Sequence, residues 1–180
     1  MNDLISAFIG AVIGSVASYI LSLRSDKKQK QKQINAVLRA IRYELEILSG
    51  YYDRTSGGLL AKVKEGEPHL TYFVLGEEYF IVYPNNTEIV GQIDDAELCK
   101  AIVGTYNKAN FLREGFRINN LILDQGKNAE GDGRENLPSV IFEKLVQSAS
   151  ILKTIDADLK QETKNLYAKM DSYLRNHPTN

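Results

Sequence analysis

The chain has 180 residues, with 22 Lys or Arg against 23 Asp or Glu and a formal net charge of −1. That near-neutral balance argues against a general nucleic-acid-binding surface. The single cysteine, Cys99, excludes an intrachain disulfide and fits a reducing compartment.

From Leu4 to Leu23 the chain carries no charged side chain. As a helix, about 20 residues would be roughly 30 Å long, the thickness of a bilayer's hydrocarbon core. Arg24, Lys27, Lys28, Lys30 and Lys32 follow, a basic collar suited to anionic lipid headgroups. Asn2 and Asp3 on the other side, and the lack of an Ala-x-Ala exit, argue against a cleaved signal peptide. Residues 1–23 therefore read as a transmembrane anchor and 24–33 as a basic juxtamembrane segment. The Lys/Arg bias places the N-terminus outside and the remaining chain at the cytoplasmic face of an inner membrane. From residue 33 onward the chain holds 17 basic and 21 acidic residues. Within the span, Ser6, Gly10, Gly14, Ser18 and Ser22 recur every four residues and include a GxxxG. Such a small-residue row lets two helix backbones approach in lipid, so it predicts self-association.

Residues 34–176 read as a helical domain and 177–180 as a tail. Ile34, Val37, Leu38, Ile41, Leu45 and Leu48 fall at steps of three and four, the stripe of a helix packed within the domain. Ser49-Gly50 reads as its stop. Residues 59–64 suggest one or two helical turns. The runs 71–75 and 79–83, flanking Gly76-Glu77-Glu78, predict a short β-hairpin. Such a ribbon must lie on helices to persist. Asn85-Asn86-Thr87 is a glycosylation sequon, unused on a cytoplasmic domain.

Asp94, with Glu97 three residues on, predicts the capping box of a second long helix. Its stripe is Leu98, Ile102, Tyr106, Ala109, Leu112 and Phe116, with an end near residue 122 or 123. Cys99 lies in this helix as a small, partly buried residue. The stretch 124–137 reads as a polar connection. It matches a calcium loop at Asn128, Asp132 and Glu135 but fails at Gly126 and Ala129, where a ligand and a turn glycine are needed. Asn136 and Pro138 open the last helix, expected to run to about residue 175. Leu145, Leu152, Leu159, Leu166 and Tyr173 repeat every seven residues along it, with Ile141, Ser148, Ile155 and Met170 near the alternate seam.

The expected fold is mainly α: one transmembrane helix, then a cytoplasmic antiparallel three-helix bundle with a small β-hairpin or irregular insert. The sequence contains no glycine-rich phosphate loop, Cys/His cluster or serine elbow, and neither His69 nor His177 has an evident partner. No catalytic residue, metal ligand or cofactor is assigned.

Tyr83, Asn86, Ile89, Gly91, Leu98, Ile102, Val103 and Tyr106 follow a loose pattern. It resembles that of small, N-terminally anchored bacterial proteins with a cytoplasmic helical domain, largely uncharacterised, some of them membrane effectors in anti-phage defence. The resemblance implies a bacterial inner-membrane setting and carries over no catalytic residue. The expected function is a membrane-tethered, non-enzymatic module that self-associates and holds a protein partner. Its expected partners are membrane lipids and further copies of the chain, with no nucleic acid. The alternatives are a membrane-perturbing effector with an oligomerised span, and an enzyme with a dispersed carboxylate site.

Overall fold

The computed structural model describes the backbone of residues 2–73, 80–130 and 138–178, and the side chains of 25–73, 80–127 and 138–178. The described chain is helical, with α1 (Asn2–Arg54), α2 (Ser56–Lys62), α3 (Thr87–Val90), α4 (Ala96–Glu130) and α5 (Ser139–Asn176).

Among the described residues no helix is long and apolar enough to cross a membrane. The stretch 4–23 belongs to α1, and its side chains lie outside the described residues. The described part of α1 is polar through the collar and then amphipathic, a helix built to lie against a bundle. The expectation of an anchor is corrected for the described residues, none of whose helices can span a bilayer; the side chains of 1–23, on which it fell, lie outside them. Among the described residues nothing therefore supports the inner-membrane location, the lipid contacts or the tethered-module and membrane-effector readings.

α1 also passes through Gly50 and ends at Arg54, beyond the expected stop. A helical glycine costs about 1 kcal/mol relative to alanine. Continuing the helix brings Tyr52 into the aromatic cluster with Phe73 and Phe116, and that burial offsets the cost.

The three long helices form an up–up–down arrangement rather than a simple antiparallel series. Glu44 of α1 meets Tyr106 of α4, and Leu45 and Tyr52 share a cavity with Ala109 and Phe116 further along, so α1 and α4 run parallel. α5 opposes both: Arg42 pairs with Asp171 and Asp53 with Lys160, while Gly104 lies by Glu162 and Gly115 by Leu152. A parallel pair needs a long return, and residues 55–95 supply it as a strap down the bundle.

Among the described residues this strap contains no strand, which corrects the hairpin; its expected turn and the adjoining strand ends, 74–79, lie outside the described residues. Side chains, not a partner strand, satisfy the strap's backbone. Asn120 accepts from the Phe73 N–H at 3.1 Å and donates to its carbonyl at 2.7 Å. Glu44 Oε1 accepts the Ile81 and Val82 N–H groups at 2.6 and 2.7 Å. Asn119 Nδ2 donates to the His69 carbonyl at 3.0 Å. These groups of His69, Phe73, Ile81 and Val82 are thus satisfied without a ladder.

The periodic residues form the core. Ile34, Leu38, Ile41, Leu98, Ile102, Tyr106, Leu166, Met170 and Tyr173 are buried in one cluster. Leu60, Leu112, Phe116 and Leu152 form a second. At the start of α4, Asp95 rather than Asp94 is the cap, accepting the Glu97 and Leu98 N–H groups at 3.0 and 2.9 Å. Glu97 pairs with Lys100 instead of reaching back. α4 runs past the expected end to Glu130, so much of the predicted polar connection is helix. Asn136, the expected cap of α5, lies outside the described residues; Pro138 precedes the first turn.

Candidate functional site: a cleft between α1, α4 and α5

Where α1 stands away from the tightly packed α4–α5 pair, two adjoining spaces remain. The inner one has a cavity volume of about 60 Å³. Its walls are mainly apolar, with Leu45 and Leu48 from α1, Leu112 and Phe116 from α4, Leu159 from α5 and Phe73 from the strap, and Arg113 of α4 also lines it. Phe73 and Phe116 pack with centroids 4.5 Å apart, and Tyr52 meets Phe116 edge-on at 6.2 Å.

The outer space, about 360 Å³, is a polar groove between α1 and α5. Glu46, Asp53, Asp156, Lys160, Lys164 and Tyr167 line it. Ser49, Tyr52, Leu159 and Thr163 line both spaces, which makes them the wall the two share.

Two of the groove's carboxylates share Lys160, and a third, Glu46, pairs with Arg42 outside the groove lining. Arg42 pairs with Glu46 at 2.8 Å and with Asp171. Lys160 pairs with Asp156 at 3.0 Å and Asp53 at 3.2 Å, and its ammonium lies 5.9 Å from the Tyr52 ring centroid. Two polar atoms facing this region are buried without a hydrogen-bond partner, Asp156 Oδ1 and the Tyr167 hydroxyl. Burial, reinforced by Glu46, pushes the Tyr167 phenol up to about 12. Lys160 is also shifted upward, its hydrogen bonds to Asp156 and Asp53 outweighing the desolvation that opposes them.

Above the inner space, Glu44 anchors the wall. Its Oε2 accepts from the Tyr106 hydroxyl at 2.5 Å while Oε1 holds the strap. Tyr106 is flanked by Tyr83, stacked at 4.5 Å, and by Phe80, edge-on at 5.0 Å. Burial, then the Glu44 hydrogen bond, push the Tyr106 phenol upward, so it stays a donor.

The residues singled out from sequence lie elsewhere. Ser6, Gly10, Gly14, Ser18 and Ser22 fall on α1 with side chains outside the described residues, as does Arg24. Lys27, Lys28, Lys30 and Lys32 are exposed on α1 and line neither space. The groove residues carried a legible signal: 46, 49 and 53 on one helix, and 156, 160, 163 and 167 on another, are polar rows at helical spacing beside apolar stripes. Cys99 is half-buried, its Sγ 3.4 Å from the Val90 carbonyl oxygen, and burial raises its thiol pKa. Among the described residues no group of three or more His, Cys, Asp or Glu is placed to hold a metal ion.

Compared with protein-family models, curated proteins and solved structures, the chain matches none of them. The resemblance to N-terminally anchored bacterial proteins is therefore corrected: no family model carries it, and no membrane-crossing helix is found among the described residues.

Proposed function

We propose that this chain is a non-enzymatic binding module that takes a small amphiphilic molecule into the cleft between α1, α4 and α5. The observation that carries the reading is the shared wall of Ser49, Tyr52, Leu159 and Thr163 between an apolar cavity and a polar groove. Sites for small molecules are concave and mainly apolar, with a few polar groups to fix orientation. Here the apolar part, at about 60 Å³, takes the end of an alkyl chain, and the groove receives the polar end. Lys160 and Tyr167 are shifted away from neutral pH, which suits groups that hold a ligand better than groups that shuttle protons.

The test is titration with octanol followed by methyl resonances of Leu45, Leu112 and Leu159. Saturable shifts confined to these residues, lost in Ala109→Phe, are expected, since Ala109 lines the inner space. Absent or scattered shifts would overturn the reading. A second reading, an enzyme using carboxylates, is favoured by the convergence of Glu46, Asp53 and Asp156 on one groove. It requires a turnover that Asp156→Asn abolishes while ligand affinity stays within about tenfold, a split between chemistry and binding.

A further inference from the structure

We infer that a second copy of this chain docks on the outer face of α1, the two α1 helices running antiparallel. Ala36, Ala40, Tyr43, Ile47 and Tyr51 follow one another at steps of three and four, which places them on one face of α1. The bundle lies against the opposite face, where Val37, Leu38, Ile41 and Leu45 are buried. The row carries no charge, although Arg39, Arg42, Glu44 and Glu46 lie between its members in sequence. Its large members are uncovered, Tyr43 at 60%, Ile47 at 69% and Tyr51 at 53% exposure. Single exposed apolar side chains are ordinary, whereas a contiguous row of them marks an interaction surface. This surface lies within the described residues and uses neither lipid nor the small-residue row at 6–22.

Size and charge select the occupant and its direction. The row is small at its N-terminal end, with Ala36 and Ala40 after Gln33, and large at its C-terminal end. In one antiparallel register Tyr43 meets Ala40 of the second copy, Ile47 meets Ala36 and Tyr51 meets Gln33. Each large side chain then fills the space beside a smaller one. A parallel pair would set Tyr43 against Tyr43 and Ala36 against Ala36, crowding one end and leaving a gap at the other. Lys32, Arg39, Glu46 and Asp53 repeat every seven residues along one edge of the row, and all four are exposed. The same edges meet across an antiparallel pair, so this register brings Arg39 to Glu46 of the second copy and Lys32 to Asp53. Such flanking charges set partner choice and orientation. Glu46 and Asp53 already hold Arg42 and Lys160, but their side chains stay 42% and 53% exposed, open to a second cation. The contact is two-fold symmetric and closes on itself, with the two bundles on its outer sides.

Sedimentation equilibrium of the full chain at pH 7 and 0.15 M salt reads the pairing. The mass of two chains is expected at tens of micromolar protein, falling toward one on dilution. Ile47→Lys, at a position exposed in the single chain, should weaken association by at least roughly a hundredfold while the helical circular dichroism is unchanged. Ile151→Lys, at a comparably exposed site on α5, should leave association intact. Direction is read in a Cys99→Ser background, where an equimolar mixture of Ala36→Cys and Ile47→Cys chains should oxidise chiefly to the mixed disulfide. A single-chain mass at this concentration, or a dimer that survives Ile47→Lys or is lost equally in Ile151→Lys, would overturn the inference. So would disulfides joining like chains in place of the mixed one. None of these outcomes bears on the cleft, which lies on the bundle side of α1.

Discussion

Glu44 shows how much one side chain can hold. One oxygen takes the Tyr106 hydroxyl and the other takes two strap N–H groups, so α1, α4 and the strap meet at a single carboxylate. Glu44→Ala strands all three donors, and hydrogen bonds to a charged acceptor contribute about 1.5–3 kcal/mol each before partial solvation is allowed for. The expected loss is about 3 kcal/mol of unfolding free energy by urea titration. Glu44→Gln, which keeps one acceptor oxygen, should lose about half as much. Equal losses in the two variants would show that the packing around Tyr106, not the hydrogen bonds, carries the stabilisation. Nothing in the local sequence marked Glu44, because its partners lie 37 to 62 residues away. Asn120 was hidden for the same reason: it acts as a substitute strand for Phe73 across 47 residues.

At the scale of the element, the legible features were those that repeat. The seven-residue repeat of α5 buries Leu145, Leu152, Leu166 and Tyr173 against the other helices, while Leu159 stays half-buried because it borders the cleft. The stripes of α1 and α4 were legible for the same reason. The strap was not, since β-branched and aromatic residues read as strands whether or not another strand is available to them. Gly50 and the 124–130 stretch misled because tertiary packing overrides a local stop signal.

The α4–α5 contact yields a paired prediction from two glycines in α4. A Cβ at Gly104 would meet only Glu162 Oε2 at 3.9 Å, so Gly104→Ala should stabilise by roughly 0.5–1 kcal/mol through helix propensity. A Cβ at Gly115 would come within 2.9 Å of Leu152 Cδ2, on a side chain that is itself buried. Overpacking there costs about 1–3 kcal/mol and should outweigh the propensity gain. Thermal melts of the two variants should therefore shift in opposite directions. The outer face of α1 gives a contrasting case: Tyr43, Ile47 and Tyr51 are exposed, so Ile47→Lys should change stability by no more than about 0.5 kcal/mol.

For the whole molecule, the strap makes stability depend on pH. His69 is buried, its ring edge-on to Phe116 at 5.7 Å and its Nε2 without a partner, while Asn119 holds its carbonyl. Desolvation lowers its pKa from the ordinary value of 6.5, so the native state keeps the imidazole neutral. Above that value both folded and unfolded chains carry it neutral and it has no effect on the balance. As pH falls below 6.5 the unfolded chain takes up a proton that the folded chain refuses, and stability declines until the lowered folded pKa is reached. The slope in that window approaches about 1.4 kcal/mol per pH unit for one proton. His69→Leu replaces the ring with an apolar side chain that cannot charge. Its urea-unfolding free energy should fall distinctly less between pH 7 and pH 5 than that of the unsubstituted chain, whatever the two values at pH 7. Parallel pH profiles would mean that the imidazole is protonated in the folded protein and that the strap opens to admit water around His69. Because the same strap contributes Phe73 to the cleft, ligand affinity and this pH dependence should weaken together in any variant that loosens residues 69–73 from α4.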